Sequence, residues 1–564
     1  MFQSLIPAIP SWVPVEEMAV SVALVFSLAV VFGTSDRTGP LLARLRRRFV
    51  VGVPWGTVLT IGLVVCVYLF LQGGLEHPRD PLVLPFRSWS YFYPLGMLTA
   101  AFSHGSLSHI TGNLVATAMF GPVAEYVWGH YPRKRGSHAF SSPLRNPYVR
   151  ILVVPAVVFV VGLFSSFFAL GAVIGFSGVV FAIAGFAIVQ RPLLGLLALL
   201  GNRVLSLVVS AIQNPQTVAL PKPRVITPWW ANVAIQGHAI GILAGGLLGF
   251  ALAYSRDRWS DGPRLWFGLV AFASFQGLWA FYLPRSGGRY ILFRWVGTAV
   301  VFLLAAIAVL ALTGEYQFAH RQLLADTSVG MNSVFDSLVR TTALLAIIVL
   351  TIGLSGVAVP YNAAPVNQAE TPEPTVEVRD YSVGYAEDIP DGYVGSVQLP
   401  VATAQTDINT SGVIIASDRR HVWHTVVLEA ELANRGRAVV DVGGVGWRKQ
   451  VVVNRTGWKP TGNQSVYKVY LRPRGEASTL GYTSEPRRAE PVIGGRNVTL
   501  RPTDEGFEFT VSRQGQAIGR TPVPASGNNV TAGGITFVRN ESRVLARLNE
   551  TRLTIATRSE RNNR

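Results

Sequence analysis

The sequence predicts a polytopic α-helical membrane protein of about ten spans with a C-terminal extracellular all-β, sandwich-like domain. Three observations predict it. Only 14% of the 564 residues are charged, 49% are hydrophobic and the mean hydropathy is +0.35, whereas a soluble chain carries about 25% charged residues. Apolar runs long enough to span a bilayer recur up to residue 360, and beyond it short alternating segments separated by turn residues replace them.

A spanning helix needs about 20 largely apolar residues. Candidate runs lie at 17–34, 53–72, 108–128, 150–170, 176–190, 193–213, 231–254, 265–283, 292–313 and 341–359. The run at 176–190 is short, so its start is expected within the protein. Residues 1–50 read as an extra N-terminal span with a basic cytoplasmic loop. No basic residue precedes that span, and Arg44, Arg46, Arg47 and Arg48 follow it. This is opposite to a cleavable secretory signal and suggests an external N-terminus. Alternating the ten spans from that start puts 16 Lys/Arg in the cytoplasmic flanks and 8 in the external ones, as the positive-inside rule requires. The last three spans are expected over 259–360.

The net charge of +17 does not call for nucleic acid. Of the basic residues, 24 lie before residue 361 against 11 acidic ones, and loop charge that orients the chain in a lipid bilayer is the simpler reading.

Pro360, Pro365, Pro372 and Pro374 mark a stiff linker over 361–378. Residues 379–564 then alternate in runs such as His424–Glu429 and Phe507–Val511, which indicates the β domain. That domain carries seven N-x-S/T sequons, at Asn409, Asn454, Asn463, Asn497, Asn529, Asn540 and Asn549, while the six asparagines before residue 361 give none. Sequons have meaning only on the non-cytoplasmic side, which agrees with the even span count. The expected location is therefore the plasma membrane, with the tail outside and open to an extracellular ligand. Cys66 is the single cysteine, which excludes a disulfide framework or a cysteine-rich metal site. Surface sequons without disulfides suit an archaeal membrane.

Three constellations carry chemistry. His104-Gly-Ser-Leu-Ser-His109-Ile-Thr-Gly-Asn113 opens the third span, Gly175-Phe176-Ser177-Gly178 the short fifth, and Gly237-His238-Ala-Ile-Gly241 lies in the outer half of the seventh. On the alternation above, these helices run in the same direction, so their N-terminal halves can converge. Polar side chains in a membrane are costly and face a bundle interior or a cavity. A serine and a histidine from neighbouring helices can form a nucleophile–base pair. Asn113, the His109 ring and the Ser177 backbone N–H can then donate to an oxyanion. No acidic third member is apparent, so a Ser177–His238 dyad is the economical reading. Each motif alone has a plainer one: G-x-S-G is common at membrane-helix contacts, and His104 with His109 reads either as a hydrogen-bond cluster or as metal ligands. With no carboxylate or cysteine beside them, neither metal nor cofactor is expected.

Together the motifs resemble the rhomboid family of intramembrane serine proteases: H-x4-H-x3-N, then G-x-S-G, then a late G-H-x-x-G, over about residues 51–258, which implies a six-helix rhomboid-like core there with about four extra spans around it. Gly175–Gly185 resembles the serine-bearing helix of that family, Glu125 and Gly129 its E-x-x-x-G ending, and Gly241 and Gly245 the small residues of its last core helix. The resemblance implies Ser177 as nucleophile and His238 as general base, with His109, Asn113 and the Ser177 amide as oxyanion donors. His104, Gly175, Gly178, Phe181 and Gly241 would support the site. Phe181 stands where many members have a tyrosine packed on the imidazole, and Trp89-Ser90 where many have Trp-Arg. The implied activity is hydrolysis of peptide bonds in or near transmembrane segments of membrane-protein substrates. Two other readings compete: an inactive rhomboid-like binder of membrane clients, and a glycosylated surface-binding module on a multi-span anchor. Retention of both Ser177 and His238 argues against the first, and a single-span anchor would suffice for the second.

Overall fold

A computed structural model describes residues 15–34, 38–131, 140–213, 234–285, 289–312, 329–363, 372–390 and 409–559. The chain divides into two compact units, a helical one ending at Ala363 and a β-rich one from Ala364 onward. Residues 364–371 of the expected linker lie outside the described residues.

The helical unit comprises α1 (Val15–Thr34), α2 (Thr38–Arg48), α3 (Trp55–Cys66, continued by a wider turn over Val67–Leu71), α4 (Pro94–Thr99), α5 (Leu107–Trp128), α6 (Pro147–Phe168), α7 (Ser177–Gln190), α8 (Pro192–Gln213), α9 (Ile235–Arg256), α10 (Gly262–Phe275), α11 (Arg294–Leu312), α12 (Val329–Gly356) and α13 (Ala358–Ala363). Among the described residues, six helical segments are long and apolar enough to cross a membrane: Glu17–Thr34, α6, α8, α9, α11 and Ser337–Ala363. Trp55–Leu71 and α7 are shorter apolar helices.

Local chemistry fixes the ends of the elements. Ser106 caps α5 by accepting from the His109 N–H, and Asn146 caps α6 by accepting from the Tyr148 N–H, with Pro147 next in line. The start of α3 has no side-chain cap of its own. Glu125 of α5 supplies one, accepting from the N–H groups of Gly56 and Thr57 at 2.7 Å each and from the Thr57 hydroxyl at 2.7 Å. A carboxylate suits the positive end of a helix dipole. The His130 Nε2–H also donates to Glu125, at 2.5 Å, while His130 Nδ1 accepts from the Val50 N–H.

One apolar run folds differently from expectation. The run at 265–283 is not a single helix, because α10 stops at Phe275. Gly277 takes φ +70°, and the Leu278 N–H turns back to the Ala273 carbonyl, a glycine-terminated stop that hydropathy does not register. The chain then forms a two-stranded hairpin, β1 (Tyr282–Arg285) with β2 (Arg289–Leu292).

The centre of the helical unit is α7. Val179, Val180, Phe181, Ala184, Ala187 and Ile188 are all buried, which covers its circumference. It lies against α9 on a glycine seam. A Cβ on Gly241 would meet the Gly178 carbonyl oxygen at 2.2 Å, one on Gly245 the Ala182 oxygen at 1.9 Å, and one on Gly185 the Ile242 oxygen at 2.6 Å. Only glycine lets the two backbones come this close.

The second unit is β-rich, as the alternating pattern predicts. Its strands are β3 (Val376–Val378), β4 (Tyr381–Pro390), β5 (Asn409–Ser417), β6 (Val422–Leu428), β7 (Arg437–Gly444), β8 (Trp447–Pro460), β9 (Val466–Pro473), β10 (Thr479–Thr483), β11 (Arg487–Arg488), β12 (Arg496–Thr503), β13 (Gly506–Arg513), β14 (Gln516–Pro522), β15 (Asn529–Ala532), β16 (Ile535–Asn540), β17 (Arg543–Leu548) and β18 (Thr551–Arg558). They form an eight-stranded sheet, ordered β10-β9-β8-β18-β17-β16-β15 with β7 also on β8, and two four-stranded sheets, β11–β14 and β3–β6. Part of the unit is sandwich-like. Val498, Leu500, Phe509 and Val511 pack with Ile535, Phe537, Val544 and Ile555 in one core, where Phe509 stacks on Phe537 at 4.7 Å. A short α-helix, α14 (Glu429–Arg435), and a 3-10 turn at Asp418–Arg420 interrupt the strands. The strand β3 begins inside the stretch read as linker.

Candidate active site

The N-terminal ends of α5, α7 and α9 carry the three constellations. Ser177 is the first residue of α7 and His238 the fourth of α9. The structure brings them together, with His238 Nε2 2.8 Å from Ser177 Oγ. An unprotonated Nε2 accepts the serine O–H at that distance. Phe181, one turn after Ser177, stacks flat on the imidazole, ring centroids 4.1 Å apart and planes within 10°.

The loop before Ser177 is shaped by Gly175. Its φ is +128°, and an added Cβ would lie 2.5 Å from His109 Cε1 and 2.7 Å from Nε2. Glycine is thus required for conformation and for space. The Gly175 N–H donates to the Ala100 carbonyl at 2.9 Å. His109 Nδ1 faces the Gly105 N–H at 3.5 Å, so the tautomer that accepts there carries its proton on Nε2, the edge turned to Gly175. Gly178 packs on Ser165, where a Cβ would fall 2.3 Å from the hydroxyl oxygen.

Asn113 and His104 form a buried pair, amide nitrogen to Nε2 at 3.0 Å, and the His104 and His109 rings meet edge to face at 5.1 Å. The expected supporting residue therefore touches two of the three expected oxyanion donors, Asn113 and His109. Ser177 offers its backbone N–H from the first turn of α7, where such groups lack intrahelical acceptors. No group of three or more His, Cys, Asp or Glu able to hold a metal occurs among the described residues.

Three residues around this site had no signal in the sequence. Buried Gln72, at the end of the first core run, accepts from the His104 N–H at 2.7 Å and donates to the His104 and Leu82 carbonyls at 2.8 Å each. Phe272 of α10 stands edge-on to Phe181 at 5.4 Å and to Phe120 at 5.9 Å. It backs the ring on which the imidazole rests. Gln236, in the first turn of α9, donates to the Phe168 carbonyl and accepts from the Leu170 N–H, each at 2.9 Å. All three act over long sequence separations, which no local pattern records.

The seven sequon asparagines all lie in the β unit and none is buried. Asn409, Asn529, Asn540 and Asn549 are exposed, whereas Asn454, Asn463 and Asn497 are half-buried.

A family model described as Rhomboid domain matches residues 91–255. That span contains His104, His109, Asn113, Gly175, Ser177, Phe181 and His238. Neither a curated protein nor a solved structure matches the chain.

Proposed function

Residues 91–255 being a rhomboid domain, we propose that this protein is an intramembrane serine endopeptidase with a Ser177–His238 dyad, acting on transmembrane protein substrates. The observation that carries the reading is the 2.8 Å contact between His238 Nε2 and Ser177 Oγ, with the imidazole held flat on Phe181. An inactive client binder has no need of that alignment.

The chemistry follows from the placement. As Ser177 Oγ attacks the scissile carbonyl, His238 takes its proton, and a tetrahedral intermediate forms with its charge on the former carbonyl oxygen. The Ser177 N–H, the His109 ring N–H and the Asn113 amide are the donors for that oxyanion. Collapse expels the amine, which receives the proton from His238, and leaves an acyl-enzyme at Ser177. Water, deprotonated by the same imidazole, releases the second product. A helix hides its carbonyls in its own hydrogen bonds, so substrates with small or helix-weakening residues near one membrane face are preferred.

The protein is multi-pass, in the plasma membrane, with its β unit outside and able to engage an extracellular ligand. The direct test is labelling by a serine-directed fluorophosphonate. The wild type takes the label and cleaves a reporter span in liposomes, and Ser177→Ala does neither. Full cleavage by Ser177→Ala would overturn the assignment.

A further inference from the structure

Two amide side chains tie helices that follow the rhomboid domain to the frame of the catalytic dyad. The last carbonyls of any helix have no intrahelical donor. At the end of α6 they are met by Gln236 and Asn362. Gln236 Nε2 donates to the Phe168 carbonyl at 2.9 Å and to the Leu354 carbonyl of α12 at 2.7 Å, while its Oε1 accepts from the Leu170 N–H. Asn362 of α13 is fully buried. Its Nδ2 lies 3.2 Å from the carbonyls of both Phe167 and Ala169. Its backbone carbonyl accepts from the Tyr91 N–H at 2.9 Å and the Ser90 hydroxyl at 3.2 Å.

These contacts bear on the dyad from both sides. Gln236 is two residues before His238, about 200° round the helix, so it anchors α9 on the face opposite the imidazole. The α6 end leads directly through residues 169–176 to Ser177. The loop around Trp89 braces the same stretch, because the Ser88 N–H donates to the Val173 carbonyl at 3.1 Å and Arg87 to that of Ala172 at 3.2 Å. Tyr91 adds a hydroxyl bond to the Phe167 carbonyl at 2.7 Å and a stack on the Phe167 ring. Asn362 thus joins the Ser90–Tyr91 loop to the α6 end, and Gln236 joins the α6 end to α9 and α12.

We propose that Gln236 and Asn362 are positioning residues through which α12 and α13, outside the rhomboid domain, hold the Ser177 loop and the His238 helix in register. The inference rests on the protease reading. It makes these C-terminal helices part of what sets the turnover rate rather than a passive extension.

The test uses the full chain in liposomes with the near-isosteric variants Gln236→Leu and Asn362→Leu, singly and together. Four quantities are read: the rate of fluorophosphonate labelling at Ser177, the labelled fraction at completion, and kcat and KM on a reporter span. Each single variant is expected to lower labelling rate and kcat about tenfold, since small misplacements of reacting groups are costly in rate. The labelled fraction stays near that of the wild type and KM within about twofold, because the amides act on alignment rather than on substrate docking. Unchanged rates would overturn the proposal. So would a reduced labelled fraction reacting at the wild-type rate, since that is the sign of a merely structural role. Should the leucine variants fail to fold, Ser90→Ala with Tyr91→Phe removes the hydroxyl bonds to the Asn362 and Phe167 carbonyls, together with the one Ser90 accepts from the Phe92 N–H, and a labelling rate equal to the wild type's would again reject the role. A wild type that neither labels nor cleaves would instead overturn the protease reading on which this rests.

Discussion

The Phe181 ring lies parallel to the His238 imidazole at 4.1 Å, while Phe272 meets Phe181 edge-on at 5.4 Å. Geometry of this kind stabilises an aromatic pair by about 0.5–1.5 kcal/mol beyond burial. Phe181→Tyr keeps the stack and is expected to retain activity. Phe181→Leu loses the stack on His238 and Phe272→Ala the edge contact that backs it, and each is expected to lower kcat about two- to tenfold. Reporter-span cleavage at matched expression checks both, and a Phe272→Ala variant with unchanged kcat would detach α10 from the chemistry.

The dyad predicts a non-additive ladder. Ser177→Ala and His238→Ala should each abolish cleavage in a folded, inserted protein, and the double change should be no worse than either alone. Asn113→Ala should leave measurable activity, reduced by about 10²–10³-fold for the loss of one oxyanion donor. Single-turnover rates in liposomes report each value; additive losses at positions 177 and 238 would mean that the two do not act as a pair.

The seam between α7 and α9 offers a matched pair of substitutions. A Cβ on Gly245 would sit 1.9 Å from the Ala182 carbonyl oxygen, whereas one on Gly246 meets nothing nearer than 3.9 Å. Gly245→Ala is expected to destabilise by about 1–3 kcal/mol through overpacking, and Gly246→Ala to be neutral or slightly stabilising. Thermal melting in detergent compares them directly.

In the β unit, Arg420 Nε donates to Asp380 at 2.5 Å with both side chains largely buried. Burial alone would raise the Asp380 pKa, but the hydrogen bond and charge of Arg420 outweigh it and hold the value below the usual carboxylate range. The stability this provides is fully present above the unfolded carboxylate value of about 3.9 and is lost as pH falls through the lowered folded value. Arg420→Gln should therefore cost about 1.5–3 kcal/mol near neutrality, with the difference from wild type shrinking below about pH 4. Hydrogen exchange of the β4 and β6 strands in the full chain, corrected for intrinsic rates, measures it.

The proposed external placement of the β unit predicts that protease added to intact cells removes most of the segment after Pro360 while the Arg44–Arg48 loop stays protected. At least one of the four exposed sequons, Asn409, Asn529, Asn540 or Asn549, should be modified, as intact-mass measurement would show. A protected tail would break the even span count.

The residues that meet at the candidate site were legible because their signals are local. H-x4-H-x3-N places His109 and Asn113 one turn apart, and G-x-S-G and G-H-x-x-G mark two helix starts. What holds those residues was not legible, for a physical reason. Gln236 reaches Leu354 across 118 positions and Asn362 reaches Phe167 across 195, and no periodicity records such a pairing. Phe272 looked like one more apolar residue in a long run, and the stop at Gly277 left no trace in hydropathy. The Trp89-Ser90 departure gains a partner in the structure, the Asn362 carbonyl on Ser90.

The length of α7 turns into a statement about where a substrate is cut. Its 14 residues span about 21 Å at 1.5 Å each, and the hydrocarbon layer is about 30 Å thick. On the proposed orientation, with Gln190 placed at the inner boundary, Ser177 would lie roughly 9 Å beneath the outer one. A substrate helix reaches that depth about six residues in from its outer end. Those six residues form the segment that must uncoil before a scissile bond can be presented, so shifting a helix-breaking residue along a reporter span should move the cleavage position with it only within that first turn and a half or so.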